Sequence, residues 1–296
     1  MNSGRRRAKL QRVQYSTLID AAALAPLLQG PAVAVIDCRF DLAKPAAGRE
    51  AYLAAHIPGA RYAGLDDVLS AAPGPGTGRH PLPSPQEFAR RLGALGVAND
   101  MQVIAYDQAN GAFAARLWWM LRWLGHTHAA VLDGGFAAWL AAGGGVRSGD
   151  ELAQRRAFRP EARAQAWVTT AQVVEALDDP RRVLVDARAP ERYSGAIEPL
   201  DRVAGHVPGA RNYPFSLNLR PDGRFLPPAE LKARWLDFLR GASPAQMIAM
   251  CGSGVTACHN LLALEAAGLS GAKLYAGSFS EWIQDAGRRI ATGEAP

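Results

Sequence analysis

Val33-Ala34-Val35-Ile36-Asp37-Cys38-Arg39, followed by His56-Ile57-Pro58-Gly59-Ala60, returns about 150 residues later as Val183-Leu184-Val185-Asp186-Ala187-Arg188, followed by His206-Val207-Pro208-Gly209-Ala210. Working outward, a second apolar run follows in each half, Val103-Ile104-Ala105-Tyr106-Asp107 and then Met247-Ile248-Ala249-Met250-Cys251. Each leads into a small-residue turn, a long helical pattern and a closing segment, Gly134-Gly135-Phe136-Ala137-Ala138-Trp139 or Gly277-Ser278-Phe279-Ser280-Glu281-Trp282. Four features recurring in one order are an internal repeat. The chain divides into two copies of one unit, residues 12–145 and 164–296, joined by a linker at 146–163.

The short apolar runs alternate with helical patterns at 84–95, 112–124, 229–239 and 256–267. Strands nearly continuous in Val, Leu and Ile with helices between them predict an α/β fold, each unit a mostly parallel sheet flanked by helices. Chemistry in such sheets gathers beyond the C-terminal ends of strands, which directs attention to Asp107 and Cys251. Gly143-Gly144-Gly145 opens the Arg-rich linker (Arg147, Arg155, Arg156, Arg159, Arg163), which suits a solvated connection, and Pro73-Gly74-Pro75-Gly76-Thr77-Gly78 reads as a loop.

Length and composition bound the function. The 296 residues, 49% hydrophobic, suffice for two cored domains. Most of the formal charge of +6 sits in Arg5, Arg6, Arg7, Lys9 and Arg12, which read as a disordered solubilising tail. The rest is nearly neutral, so a nucleic-acid partner is not expected. Three cysteines, Cys38, Cys251 and Cys258, make neither a disulfide framework nor a structural zinc site, so no metal is expected. No apolar stretch is long enough to cross a bilayer and no signal core follows the basic start, so the expectation is a cytoplasmic protein with no membrane partner.

Cys251 opens the loop Cys251-Gly252-Ser253-Gly254-Val255-Thr256-Ala257, after which the pattern is helical. Two glycines allow several N–H groups to face the thiol, and the N-terminus of the following helix adds positive field favouring a thiolate. Phosphatase chemistry would need an arginine where Ala257 stands. A Cys–His hydrolase would need a base in contact, and His259 is expected to face away, at a surface or interface. In the first copy Asp107 replaces the cysteine and cannot carry a persulfide or thioester, so that copy is expected to be catalytically silent and to wall the cleft.

With the Cys251–Ala257 loop and the His206–Ala210 turn, the chain after residue 12 resembles the two-domain rhodanese family of thiosulfate and 3-mercaptopyruvate sulfurtransferases. The resemblance implies two tandem rhodanese-like domains, the first non-catalytic. It implies that Cys251 takes a sulfane sulfur as a persulfide and passes it to a thiol, thioredoxin or cyanide. Gly252, Ser253, Gly254, Val255 and Thr256 then form the persulfide cradle, Arg192 grips a small anionic donor, and no cofactor is needed. Arg188 is expected to be structural, paired with Asp186.

For the donor, Gly252-Ser253 resembles the mercaptopyruvate branch, with Ser253 hydrogen-bonding a keto acid or relaying a proton, whereas the thiosulfate branch carries basic residues there. Against this, the mercaptopyruvate branch has a second arginine where Asp201 stands, which leaves neighbouring Arg202 as a substitute substrate-binding residue. His56 and His206 are expected to share a structural job, with an auxiliary proton-relay role implied for His56. Cys258 is expected to lie buried beside the helix, Trp118, Trp119 and Trp123 to pack in a core or domain interface, and Phe279 and Trp282 to border the cleft. A monomer can make this cleft from its own two domains. The alternative function is a non-catalytic persulfide carrier or regulatory protein-binding module.

Overall fold

The computed structural model describes residues 14–296; the basic tail lies outside the described residues. The first unit runs β1 (Leu18–Ile19), α1 (Ala21–Leu27), β2 (Val33–Asp37), α2 (Ala46–Ala54), β3 (Arg61–Tyr62), α3 (Pro85–Ala94), β4 (Gln102–Tyr106), α4 (Ala114–Trp123), β5 (Ala129–Leu132) and α5 (Gly135–Ala141). The second repeats it: β6 (Trp167–Val168), α6 (Thr170–Leu177), β7 (Val183–Asp186), α7 (Pro190–Ser194), β8 (Arg211–Asn212), α8 (Pro228–Leu239), β9 (Met247–Met250), α9 (Thr256–Ala266), β10 (Lys273–Tyr275) and α10 (Ser278–Trp282).

The sheet orders β1-β5-β4-β2-β3 and β6-β10-β9-β7-β8 are the same topology, parallel throughout. The central strands β2, β4, β7 and β9 are the apolar runs of the repeat, and burial on both faces explains why they lack polar alternation. The two-residue edge strands β1, β3, β6 and β8 carry no such run. Helix starts follow local chemistry. Ser84 caps α3 by accepting from the Glu87 N–H at 3.1 Å with Pro85 in the first turn, and Thr169 forms a reciprocal capping box with Gln172 on α6.

Each domain has its own outer core, around Ile104 and Phe136 in the first and Ile248 and Phe279 in the second. A third and larger core is shared, running from Phe88, Trp118 and Trp119 across to Trp235, Leu262 and Leu274. At its centre α4 crosses α9, with Ala114, Ala115, Ala257 and Ala263 wholly buried, so small side chains let the helices approach. The tryptophans of α4 are therefore core and interface residues. The linker follows the first domain's surface: the Arg156 N–H donates to the Gly93 carbonyl and the Arg163 N–H to the Trp123 carbonyl. Because all strands run parallel, β4 and β9 end beside the shared core and place Asp107 and Cys251 there.

Candidate active site at the domain junction

Cys251 follows the last residue of β9, and α9 starts at Thr256. The backbone is held from outside the loop. The Cys251 N–H donates to Ser278 Oγ at 3.1 Å, while the Cys251 and Gly252 carbonyls accept from the N–H groups of Phe279 (3.0 Å) and Ser280 (2.8 Å). Ser278 sits at φ 53°, a strained conformation for a residue with a side chain, fixed by its second hydrogen bond to the Tyr275 carbonyl at 2.8 Å. Gly254, at φ 75°, has no room for a Cβ, which would lie 2.4 Å from the Ala276 carbonyl oxygen. Among the described residues, none of the N–H groups of Gly252 to Val255 donates to a carbonyl or side chain, so the loop presents a row of free donors beside a thiol that is only 2% exposed.

Two guanidinium groups lie over this loop. A Cβ added to Gly252 would meet Arg79 Nη2 at 3.1 Å and Arg192 Nη2 at 3.3 Å. Arg192 comes from α7 and is gripped by Glu198, with Nη2 at 2.9 Å, and by Asp201 at 3.0 Å. Arg79 comes from the first domain and also pairs with Asp201. Asp201 thus bridges the two arginines and does not face a substrate unpaired. Burial raises its carboxyl above the ordinary value despite the attraction of Arg79. Glu198 is shifted up by burial too, but Arg192 and the Leu200 and Asp201 amides pull it below its usual range. Arg188 is paired with Asp186 at 2.7 Å, and its guanidinium lies 4.2 Å from the Phe279 ring centre, a structural arrangement.

A histidine reaches the loop from the other domain. His80 Nδ1 lies 2.7 Å from Ser253 Oγ, and its Nε2 lies 3.3 Å from Asp66 Oδ1. Burial, then Arg116 and Arg79, push its pKa down to about 3, outweighing half-exposed Asp66. The imidazole is therefore neutral at pH 7. With Nε2–H turned to Asp66, Nδ1 is free to accept the Ser253 hydroxyl proton. Arg79 separates two small cavities. One, of about 350 Å³, is lined by Thr77, Asp201, Arg202 and Ser280; the other, of about 410 Å³, by Phe40, Asp66, Ser70 and His80.

The structure thus gathers Cys251, Ser253, the cradle and Arg192, and adds Arg79, His80 and Asp66, which the sequence reading did not single out. Their signal was Arg79-His80 directly after the Pro/Gly-rich loop. Arg202, His56, His206, His259, Phe279 and Trp282 are held by other contacts. Arg202 donates to the Ile283 carbonyl and borders the smaller cavity, while Arg79 takes the place over the loop. His56 is wholly buried against its own domain, stacked on Tyr52 with Nδ1 2.8 Å from the Tyr52 carbonyl, and the histidine that touches Ser253 is His80. His206 repeats that arrangement on Tyr193, confirming the shared structural job. His259 is a buried interface residue, stacked on Phe225 with Nε2 3.0 Å from the Asn110 carbonyl. Phe279 and Trp282 are core residues whose side chains do not border the cleft, although the Phe279 N–H holds Cys251.

Comparison with known proteins agrees with this geometry. The rhodanese-like domain family matches residues 20–142 and again 169–285. A probable 3-mercaptopyruvate sulfurtransferase of Pseudomonas aeruginosa is 48% identical over 279 residues, covering 94% of this chain and 98% of that protein. A putative thiosulfate sulfurtransferase of Mycobacterium tuberculosis is 39% identical over 284 residues, covering 94% and 98%. Among solved structures, 3-mercaptopyruvate sulfurtransferase from Leishmania major superposes with a TM-score of 0.79 at 32% identity, over 90% of this chain and 74% of that one. The Escherichia coli 3-mercaptopyruvate enzyme gives 0.78 at 33% identity, over 90% and 100%. Two matched domains, one topology used twice and a cysteine in an amide cradle place the chain in the rhodanese family, as a tandem-domain sulfurtransferase.

Proposed function

We propose that this sulfurtransferase takes sulfur from 3-mercaptopyruvate, stores it as a persulfide on Cys251 and delivers it to a thiol acceptor. The observation that carries the reading is the row of unpaired amides around Cys251, overhung by Arg79 and Arg192 and served by Ser253 and His80. In the first step the Cys251 thiolate attacks the donor sulfur, and the S–S bond forms as the donor's C–S bond breaks. The pyruvate enolate takes the electron pair and must gain a proton. The donor's own S–H proton meets that need: Ser253, backed by neutral His80 and Asp66, takes it as the outer persulfide sulfur ionises among the loop amides and returns it to the enolate carbon, whereas sulfite leaving from thiosulfate would have no use for one. The persulfide's terminal sulfur sits where the loop amides converge, and a thiolate acceptor then removes it and regenerates Cys251. Small thiols, thioredoxin and cyanide are the acceptors this open chemistry fits.

The charge balance supports a singly charged donor. Arg79 and Arg192 face the loop, but Asp201 and Glu198 offset much of their charge, so the site suits one carboxylate better than a dianion. The resemblance to the Pseudomonas protein points the same way. A reducing compartment such as the cytoplasm suits a chain whose cysteines are all free and buried, and no helix among the described residues is long and apolar enough to cross a membrane.

Steady-state transfer from mercaptopyruvate and thiosulfate, with a dithiol or cyanide as acceptor, tests this on wild type, Cys251→Ser and Asp201→Asn. Wild type is expected to prefer mercaptopyruvate, and C251S to be inactive with both. D201N is expected to lower KM for thiosulfate about fivefold and for mercaptopyruvate less, because a dianion gains more from the uncovered charge. A wild-type preference for thiosulfate overturns the donor assignment. Transfer by C251S overturns the persulfide.

A further inference from the structure

Among the described residues, Arg116 is a buried cation without a carboxylate partner. It is the third residue of α4 and wholly buried. Nη1 donates to the Gly254 carbonyl at 2.9 Å and Nη2 to the His80 carbonyl at 3.0 Å and the Leu69 carbonyl at 3.4 Å, while Nε has no acceptor. Removing a guanidinium from water is costly unless an anion compensates it. Burial drives its pKa below the usual arginine value.

The placement follows from the repeat. Cys258 is the third residue of α9, so the crossing of α4 and α9 brings equivalent helix positions together. Arg116 Nη1 and Cys258 Sγ both contact the Gly254 carbonyl, the latter at 3.3 Å. In a loop whose amides turn toward a sulfur, the carbonyls turn into the interior and need donors there. Arg116 supplies one for Gly254 and also fixes the backbone of His80, whose ring serves Ser253.

We propose that Arg116 of the non-catalytic domain is a positioning residue for sulfur transfer, holding the Cys251 cradle and the His80 segment in register and setting a fixed positive charge against the cradle at the Gly254 carbonyl. On this view the first domain is part of the catalytic device. The inference rests on Cys251 as the nucleophile, so alkylation of Cys251, which requires no turnover, is measured beside transfer.

The test compares wild type, Arg116→Lys and Arg116→Gln by kcat, KM, melting temperature and the rate of Cys251 alkylation by iodoacetamide at pH 7, with C251S as blank. R116Q keeps a hydrogen-bond donor and loses the charge. Its kcat is expected to fall about a hundredfold with KM changed less than about threefold, and alkylation to slow in parallel. R116K keeps the charge and is expected to recover at least about tenfold of both losses. Folded R116Q with kcat and alkylation within threefold of wild type overturns the proposal, and so does R116K no better than R116Q. Should R116Q not fold, R116K alone decides: a point charge reaching fewer carbonyls should lower kcat about tenfold at unchanged KM, and wild-type kcat overturns the proposal. Transfer that survives in C251S condemns the nucleophile assignment itself.

Discussion

The loops after β4 and β9 occupy equivalent places in the two domains, yet one is filled and the other is open. In the first, the Asp107 carboxylate turns into its own loop and accepts from the N–H groups of Gly111 (2.9 Å), Phe113 (2.9 Å) and Ala114 (3.1 Å). In the second, Cys251 leaves the corresponding donors unpaired. One backbone device, a strand end whose amides converge before a helix, thus holds a built-in carboxyl group in one copy and stands open beside a thiol in the other. In the first domain the Asp107 side chain already occupies the place that the second loop leaves to a sulfur.

Copying the first loop's solution into the second is the most severe way to break this contrast. Cys251→Asp should abolish transfer, a loss of more than about a thousandfold, because a carboxylate holds no sulfane sulfur. Its melting temperature should stay near or above wild type, since the cradle gains a built-in acceptor. A midpoint lowered by more than about 5 °C would show that these amides are not arranged for an anion.

The converse change strips the first loop. Asp107→Ala leaves three N–H groups without their acceptor in a buried loop, where burial already raises the carboxyl above its ordinary value. Denaturant unfolding should show a loss of about 2 to 4 kcal/mol, with kcat per folded molecule within about threefold of wild type. Undiminished stability would mean that Asp107 does not hold its loop.

The two loops also differ in how much of each was legible in the sequence. Cys251, its glycines and the apolar strands could be read because their signals are contiguous and recur in both halves. The edge strands could not, since two residues carry no periodicity. His80 and Ser253 are 173 residues apart, and in the second half the place of Gly78-Arg79-His80 is taken by Gly223-Arg224-Phe225, so the histidine does not recur and only the docking of the domains reveals the pair. Asp201 reads in the sequence only as a carboxylate where a second arginine is expected, because its partner Arg79 comes from the other domain, 122 residues earlier. Arg116 did leave a trace, a single charge inside Ala114-Ala115-Arg116-Leu117-Trp118-Trp119, where an apolar face leaves no obvious use for it.

The smallest expected effect sharpens a reciprocity between the loops. Each receives a histidine from the opposite domain: His80 contacts Ser253 of the open loop, and His259 contacts the Asn110 carbonyl of the filled one. Both have pKa values pushed down to about 3, His80 by burial and the charges of Arg116 and Arg79, His259 by burial against the hydrogen bond to Asn110. A histidine depressed in the folded state binds its proton more readily when unfolded, so its stabilising contribution is complete above pH about 6.5 and is lost as pH falls from there toward 3. By pH 5.5 each should cost about 1 kcal/mol, readable as a lower urea midpoint than at pH 7.5. His259→Gln should remove its share of that acid sensitivity while transfer at pH 7 persists; His80→Gln should remove its share and slow turnover as well. If both variants keep the wild-type slope of stability against pH, neither histidine is held neutral by its loop. If they lose turnover equally, the two contacts are not divided between catalysis and structure as the filled and open loops imply.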